Sequence, residues 1–219
     1  MLLFQSPAAV LGGWIHYLVF DLFIGAWIVR DAKRHDINHW ITTPILFATL
    51  MAGPAGLMAA EVAMSRGTSV NVYDAMPSVG RKFLLAGKGG LNLTHSEPAG
   101  KFITRYGSAR SHIKPLLSEF GSEELREWAR GLGVETFVGT SDRVFPSDLK
   151  SAPLLRAWLR RLRQGGVSFH VRHRWCGWDD KGALRFSTPQ GDRLATPNAV
   201  ILALGGGSWP QLGSNGAWM

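Results

Sequence analysis

The sequence predicts an α/β fold with a parallel sheet, preceded by an apolar N-terminal helix read as transmembrane. Three observations predict it. The run Ala9–Val29 is 21 residues long with one formal charge, Asp21. From Ile45 the chain reads apolar run, glycine turn, helical pattern, second strand and acid. Beyond that, strand-like runs at 167–171, 184–188 and 199–204 follow helical patterns at 122–131 and 147–163, as a sheet covered by helices requires.

Composition sets the bounds. The chain has 219 residues and 24.0 kDa, enough for one or two domains with a real core. With 46% apolar and 18% charged residues it is not a disordered chain. A single cysteine, Cys176, excludes an internal disulfide framework and a cysteine-rich zinc site, and is expected to be a small buried hydrophobe. The histidines show no metal-ligand spacing, so no metal is expected. The formal charge of +8 is unevenly shared. Residues 1–66 balance Arg30, Lys33, Arg34 and Arg66 against Asp21, Asp31, Asp36 and Glu61. Residues 67–219 therefore carry all of it.

The first element is the apolar run. A bilayer span needs about 20 such residues. Trp14, Tyr17 and Trp27 lie near its ends, as interfacial anchors do. A buried soluble helix is the competing reading. The start, MLLFQSP, has no basic segment of the kind a secretory signal carries. Residues 30–39, RDAKRHDINH, form a short basic loop of the type retained in the cytoplasm.

Residues 40–64 are again apolar, with Glu61 the only charge. Two readings compete: a second span, or a split at Gly53-Pro54 into a buried strand, 45–51, and a helix, 55–66. The split has a chemical rationale. Gly53 and Gly56 occupy the last two positions of a G-x-G-x-x-G register. Gly53 would admit a pyrophosphate to the backbone, and Gly56 would let the helix pack close to a strand. The helix start, from Ala55, offers unpaired N–H groups and a positive dipole end to an anion. The segment TSVNVYD reads as the second strand, closed by Asp74, whose carboxylate can accept from ribose hydroxyls. Met51 stands where the first glycine belongs.

The segment VGRKFLLAGKGGLNLTHSE, residues 79–97, resembles the BaiN-like (YhiN-like) FAD-dependent oxidoreductases, which carry G-R-K-x-x-x-(S/A)-G-x-G-x-x-N-x-T. GTSDRVFP (139–146), a Pro-Leu-Leu helix (153–162) and LALGGGSWPQLGSNGAW (202–218) match as well, so the resemblance spans about residues 52–219. It implies an incomplete Rossmann-like FAD/NAD(P)-binding fold with FAD as cofactor and a small-molecule substrate of unknown identity. Gly80, Gly87, Gly89 and Gly90 give a backbone-exposing loop. Arg81 and Lys82 bring positive charge beside the pyrophosphate, and Asn92 and Thr94 offer hydrogen-bonding groups to a polar ring edge. The run 199–204 suits a central parallel strand leading into Gly205 and Gly206, a turn that in such flavoproteins returns beside the cofactor. Leu204 departs from the usual lead-in. No catalytic residue is implied.

Residues 1–58, with W-x-H-Y-x-x-F-D and a closing G-P-x-G-L, resemble the end of the neoxanthin-synthase-like (abscisic-acid-deficient-4-like) membrane proteins. The two resemblances meet at Gly53–Leu57, which accounts for Met51. A gene fusion, a recombined reading frame or an assembly artefact would each produce this junction. Members of the flavoprotein family continue through a substrate domain, so residues 45–219 are expected to be a truncated FAD-binding domain with little turnover. Residues 1–44 are the membrane-like segment.

Ser122–Gly131 reads as a helix with acids in its first turn. Residues 147–163 read as another, with Leu155, Trp158, Leu159 and Leu162 on one face and Arg156, Arg160, Arg161 and Arg163 crowding the other. A solvated face is expected of the arginines, and no nucleic-acid partner. Trp175 and Trp178 are placed between strands. The expected function is an FAD-binding flavoprotein fragment, held to the membrane through residues 9–29 with its flavin part cytoplasmic. The alternatives are a wholly cytoplasmic protein and an integral membrane remnant with a non-functional tail.

Overall fold

The computed structural model describes residues 55–86 and 89–204. The expectations for 9–29, 30–39, 45–51, Gly53, Gly87, Gly205 and Gly206 lie outside those residues. Among the described residues, no helix is long and apolar enough to cross a membrane. The chain divides into two compact units, residues 59–196 and residues 1–58 with 197–219.

Helix α1, Ala55–Ser65, begins directly after Pro54. Its small residues keep a narrow profile, and Ala55, Leu57, Ala59 and Ala60 are all buried. It ends in a Gly67 turn with φ of 77°. Strand β1, Asn71–Asp74, is shorter than the predicted 68–74. It pairs in parallel with β5, Ser168–Val171, in the register Tyr73 to His170 and Asp74 to Val171. This parallel pair, with helices, makes the unit α/β.

The segment 79–97 is not one continuous loop. Residues 81–86 form helix α2, Arg81–Ala86, opened by Gly80 at φ of 76°. A side chain at Gly80 would stand 2.8 Å from Leu155 Cδ2, so glycine is demanded twice, by conformation and by space. Strand β2, Thr94–His95, joins β4, Arg143–Pro146, and β4 joins β3, Thr136–Val138, in an antiparallel sheet. Between β2 and β3 run α3, Ala99–Phe102, a 3₁₀ stretch over Ile103–Ala109, α4, Arg110–Glu119, and α5, Ser122–Gly131. Helix α5 has the predicted bounds, and Glu124 Oε2 accepts from the Gly121 N–H at its start (2.9 Å).

Helix α6, Ser151–Gln164, starts four residues later than expected. Leu149 adopts a φ of 60°, and Asp148 Oδ1 accepts from the Lys150 N–H at 3.0 Å, a side-chain turn that competes with the helix. Its inner face is Leu154, Leu155, Trp158 and Leu162, with Trp158 1% and Leu162 0% exposed; Leu159 sits at the edge, half-buried.

The remaining sheet is an antiparallel meander of β6, Arg174–Trp178, β7, Leu184–Thr188, and β8, Gly191–Ala195. Trp175 and Trp178, expected between strands, belong to β6, which is irregular there, with Gly177 at φ of 96°. Strand alternation turns residue 176 outward, so Cys176 is exposed rather than buried. Residues 199–204, expected as a central strand, pair with no strand among the described residues. Apolar content alone does not make a strand; a ladder partner is required.

Candidate functional site

In the unit holding residues 1–58 and 197–219, Ala55 is the first residue of α1 and is buried. Gly56 follows, and a Cβ there would lie 3.2 Å from Ala203 Cβ. That is tighter than ordinary packing. It is the close helix-to-chain approach for which the register places glycine at this position.

The other expected residues lie in the unit 59–196. Asp74 ends β1, at the carboxyl edge of a parallel strand, where α/β folds bind their ligands. Its Oδ1 accepts from the Met76 N–H at 2.8 Å. Burial raises the Asp74 pKa above the usual carboxylate value, against the opposing pull of the Met76 N–H and the Arg81 charge. Arg81 and Lys82 open α2, both half-buried. The Arg81 charge is thus felt at the Asp74 carboxylate.

Asn92 and Thr94 are brought together differently. With its amide nitrogen facing the carbonyls, Asn92 Nδ2 donates to Thr94 O (2.9 Å) and Val144 O (3.3 Å). Leu93 N also donates to Val144 O, and Leu91 N to Leu149 O. Asn92 therefore pins its own loop to β4, and only its oxygen is left for a ligand. Thr94 is buried in β2 opposite Val144.

Two groupings escaped the sequence reading. Glu61 accepts from Trp128 Nε1 (3.0 Å), Trp158 Nε1 (2.6 Å) and Arg161 Nη1 (2.9 Å). The one signal was Glu61 as the only charge in an apolar stretch. Arg161 consequently leaves the arginine cluster, and Arg163 lies over the Phe169 ring at 5.1 Å. The second grouping surrounds Tyr73. Its ring stacks on His170 (4.6 Å) and Phe186 (4.3 Å), and His170 Nε2 is 2.9 Å from Asn71 Oδ1. Burial, then the neighbouring His173, lowers the His170 pKa below the ordinary imidazole value. This packing fixes the strand end that carries Asp74.

Comparison with known families agrees with both halves of the sequence. Residues 1–59 match the family described as ABA DEFICIENT 4-like. Residues 47–219 match the HI0933-like protein Rossmann domain, so the two matches overlap around the Gly53-Pro54 junction, as a fusion of two families requires. With its parallel pair, the Gly56 approach and Asp74 at the strand end, the chain belongs to the HI0933-like Rossmann-domain family.

Proposed function

We propose that residues 45–219 bind FAD and form the flavin-holding part of an oxidoreductase, and that residues 9–29 hold the chain to a membrane with that part on the cytoplasmic side. The observation that carries the reading is Asp74 at the carboxyl end of a strand paired in parallel, within a chain that matches a Rossmann domain.

The residues present fit the cofactor. A Cβ at Gly56 would stand 3.2 Å from Ala203 Cβ, so glycine suits a helix that starts this close to a neighbouring segment of chain. Gly53, Ala55 and Gly56 would present the N–H groups at the start of α1 to the pyrophosphate. Asp74 would take the ribose hydroxyls, with Arg81 and Lys82 adding positive charge nearby. Gly87, Asn92, Thr94, Gly205 and Gly206 complete the set. FAD supplies hydride and electron transfer when bound. The chain's own residues bind and orient it, and none is assigned a catalytic role.

The integral-membrane reading has one supporting observation, the match over residues 1–59. Against a non-functional tail stands Glu61. Its carboxylate is engaged by three donors of α5 and α6, an arrangement that suits α1 as part of a folded domain.

The test is reconstitution of the detergent-purified full chain with FAD, followed by flavin absorbance after desalting. Retained flavin is expected. Gly56→Val, which pushes a side chain onto Ala203, should weaken FAD binding by about tenfold or more, about 1.4 kcal/mol. A colourless protein after reconstitution would overturn the reading.

A further inference from the structure

Helix α6 has a second face. Its inner side, Leu154, Leu155, Trp158 and Leu162, is buried. Arg156, Arg160 and Arg163 follow one another at i, i+4 and i+7, which puts them in one narrow stripe of a 3.6-residue helix, away from that inner side. All three are exposed. The helix, SAPLLRAWLRRLRQ, contains no acid. Its fourth arginine, Arg161, is engaged by Glu61. Among the described residues, ion pairs also engage Arg105, Arg126 and Arg130, but not Arg156, Arg160 or Arg163. The stripe is a uniform cationic surface in the part of the chain that carries all of the +8 net charge.

An apolar groove of about 500 Å³ adjoins this helix. Val79, Leu159, Val167, Phe169 and Val171 line it, and Arg163 is its one charged residue. Strand alternation sends Phe169 and Val171 to one side of β5 and His170 to the other, onto Tyr73. Leu159 and Phe169 are half-buried and Val171 is exposed, so apolar surface is open beside the charges. Arg163 joins the two features, since its guanidinium lies over the Phe169 ring, 5.1 Å from the centre.

This juxtaposition selects the partner. Arg156 and Arg163 are about 10 Å apart along the helix axis, a longer span than one phosphate, so the stripe matches an extended anionic surface. A single-stranded nucleic acid would seek open aromatic faces on which to stack its bases. The one aromatic ring of the groove, Phe169, is covered by Arg163. Aliphatic side chains next to a row of cations suit the boundary between lipid headgroups and acyl chains, where apolar burial and charge attraction act together.

We infer that Arg156, Arg160 and Arg163, with the groove beside them, form a docking surface for the anionic phospholipids of a bilayer. It adds a salt-sensitive attachment to the one made by residues 9–29. The inference rests on the proposed function only in bringing a bilayer within reach through that segment. Each basic side chain held near an anionic leaflet strengthens binding about fivefold, so the three together should contribute roughly a hundredfold.

The experiment uses the full chain carrying Cys176→Ser and Gln164→Cys, so that a fluorophore on the introduced thiol sits at the end of α6. The chain is reconstituted into vesicles of phosphatidylcholine, alone or mixed with phosphatidylserine, that contain a headgroup quencher. Quenching is expected to be at least about fivefold stronger with phosphatidylserine, and to fall to the phosphatidylcholine level at about 1 M salt, where the screening length is about 3 Å. The triple variant Arg156→Gln/Arg160→Gln/Arg163→Gln should show the same loss. Arg156→Gln/Arg160→Gln, which keeps Arg163 on Phe169, should lose most of the difference with an unchanged circular dichroism spectrum. Equal quenching in the two lipid compositions, or quenching indifferent to the arginines, overturns the inference. Arginine-dependent binding of a labelled single-stranded RNA without lipid quenching also overturns it, and would assign the face to nucleic acid. Alkaline carbonate extraction of the same vesicles reads the anchor separately. A chain released by carbonate that keeps arginine-dependent quenching would refute the anchor and leave this surface standing. One retained but without the phosphatidylserine effect would keep the anchor and refute the docking.

Discussion

Trp158 Nε1 donates to Glu61 Oε2 at 2.6 Å, across 97 residues of sequence. Trp128 and Arg161 converge on the same carboxylate, and Trp128 packs edge-on against Trp158 with ring centres 4.9 Å apart. One acid thereby fastens α1 to both α5 and α6. Glu61→Ala strands two indole N–H groups and a guanidinium in a partly buried site, and should cost about 3 kcal/mol in urea unfolding. Glu61→Gln keeps one carbonyl acceptor and should cost less. Equal losses for the two variants would show that packing, not donor satisfaction, dominates.

Gly80 makes a second prediction. Gly80→Ala meets both a φ of 76° and the Leu155 side chain, which is 3% exposed. A loss of about 2 kcal/mol is expected. Adding Leu155→Ala removes the collision but not the backbone penalty, so the double variant should be less destabilised than the two single changes combined. Strict additivity, measured by thermal unfolding, would mean the two residues do not meet.

Asp74 predicts a pH effect of unusual sign. Burial, the largest influence, raises its folded pKa above the ordinary 3.8, with Met76 and Arg81 opposing. A raised acid holds its proton more tightly when folded. Its contribution is therefore present below the unfolded pKa and is lost as pH rises through the folded one. Asp74→Asn carries no charge to bury. Its stability relative to the parent should therefore improve as pH rises from below 3.8 toward neutrality. A relative stability that is flat, or falls, across that window would contradict the burial argument.

The membrane half is tested separately. Cell fractions containing the full chain should hold it in the membrane pellet after alkaline carbonate extraction, as residues 9–29 predict. Recovery in the supernatant would remove the spanning segment from the account.

Local patterns were legible in the sequence where local physics decides the outcome. Helix α5 and strand β7 have their predicted bounds, because capping and alternation are short-range properties. Asp74 was placed at its strand end by spacing alone. Three features needed information that periodicity does not hold. Leu149 turns left-handed and delays α6. Strand β6 hides behind Cys176-Gly177, a pair that reads as a break in sequence and folds as an irregular strand. Glu61 meets partners far along the chain, and the purpose of a lone acid is set by those partners. The run 199–204 shows the reverse error, since strong apolar content predicted a ladder that is not formed among the described residues.

The most direct test of the central claim is the identity of the nucleotide the protein carries. The full chain, purified in mild detergent from cells and heat-denatured, should release FAD in a ratio approaching one per chain, identified by mass spectrometry. Release of no nucleotide, or of a different one in that amount, would contradict the assignment of residues 45–219 as an FAD-binding domain.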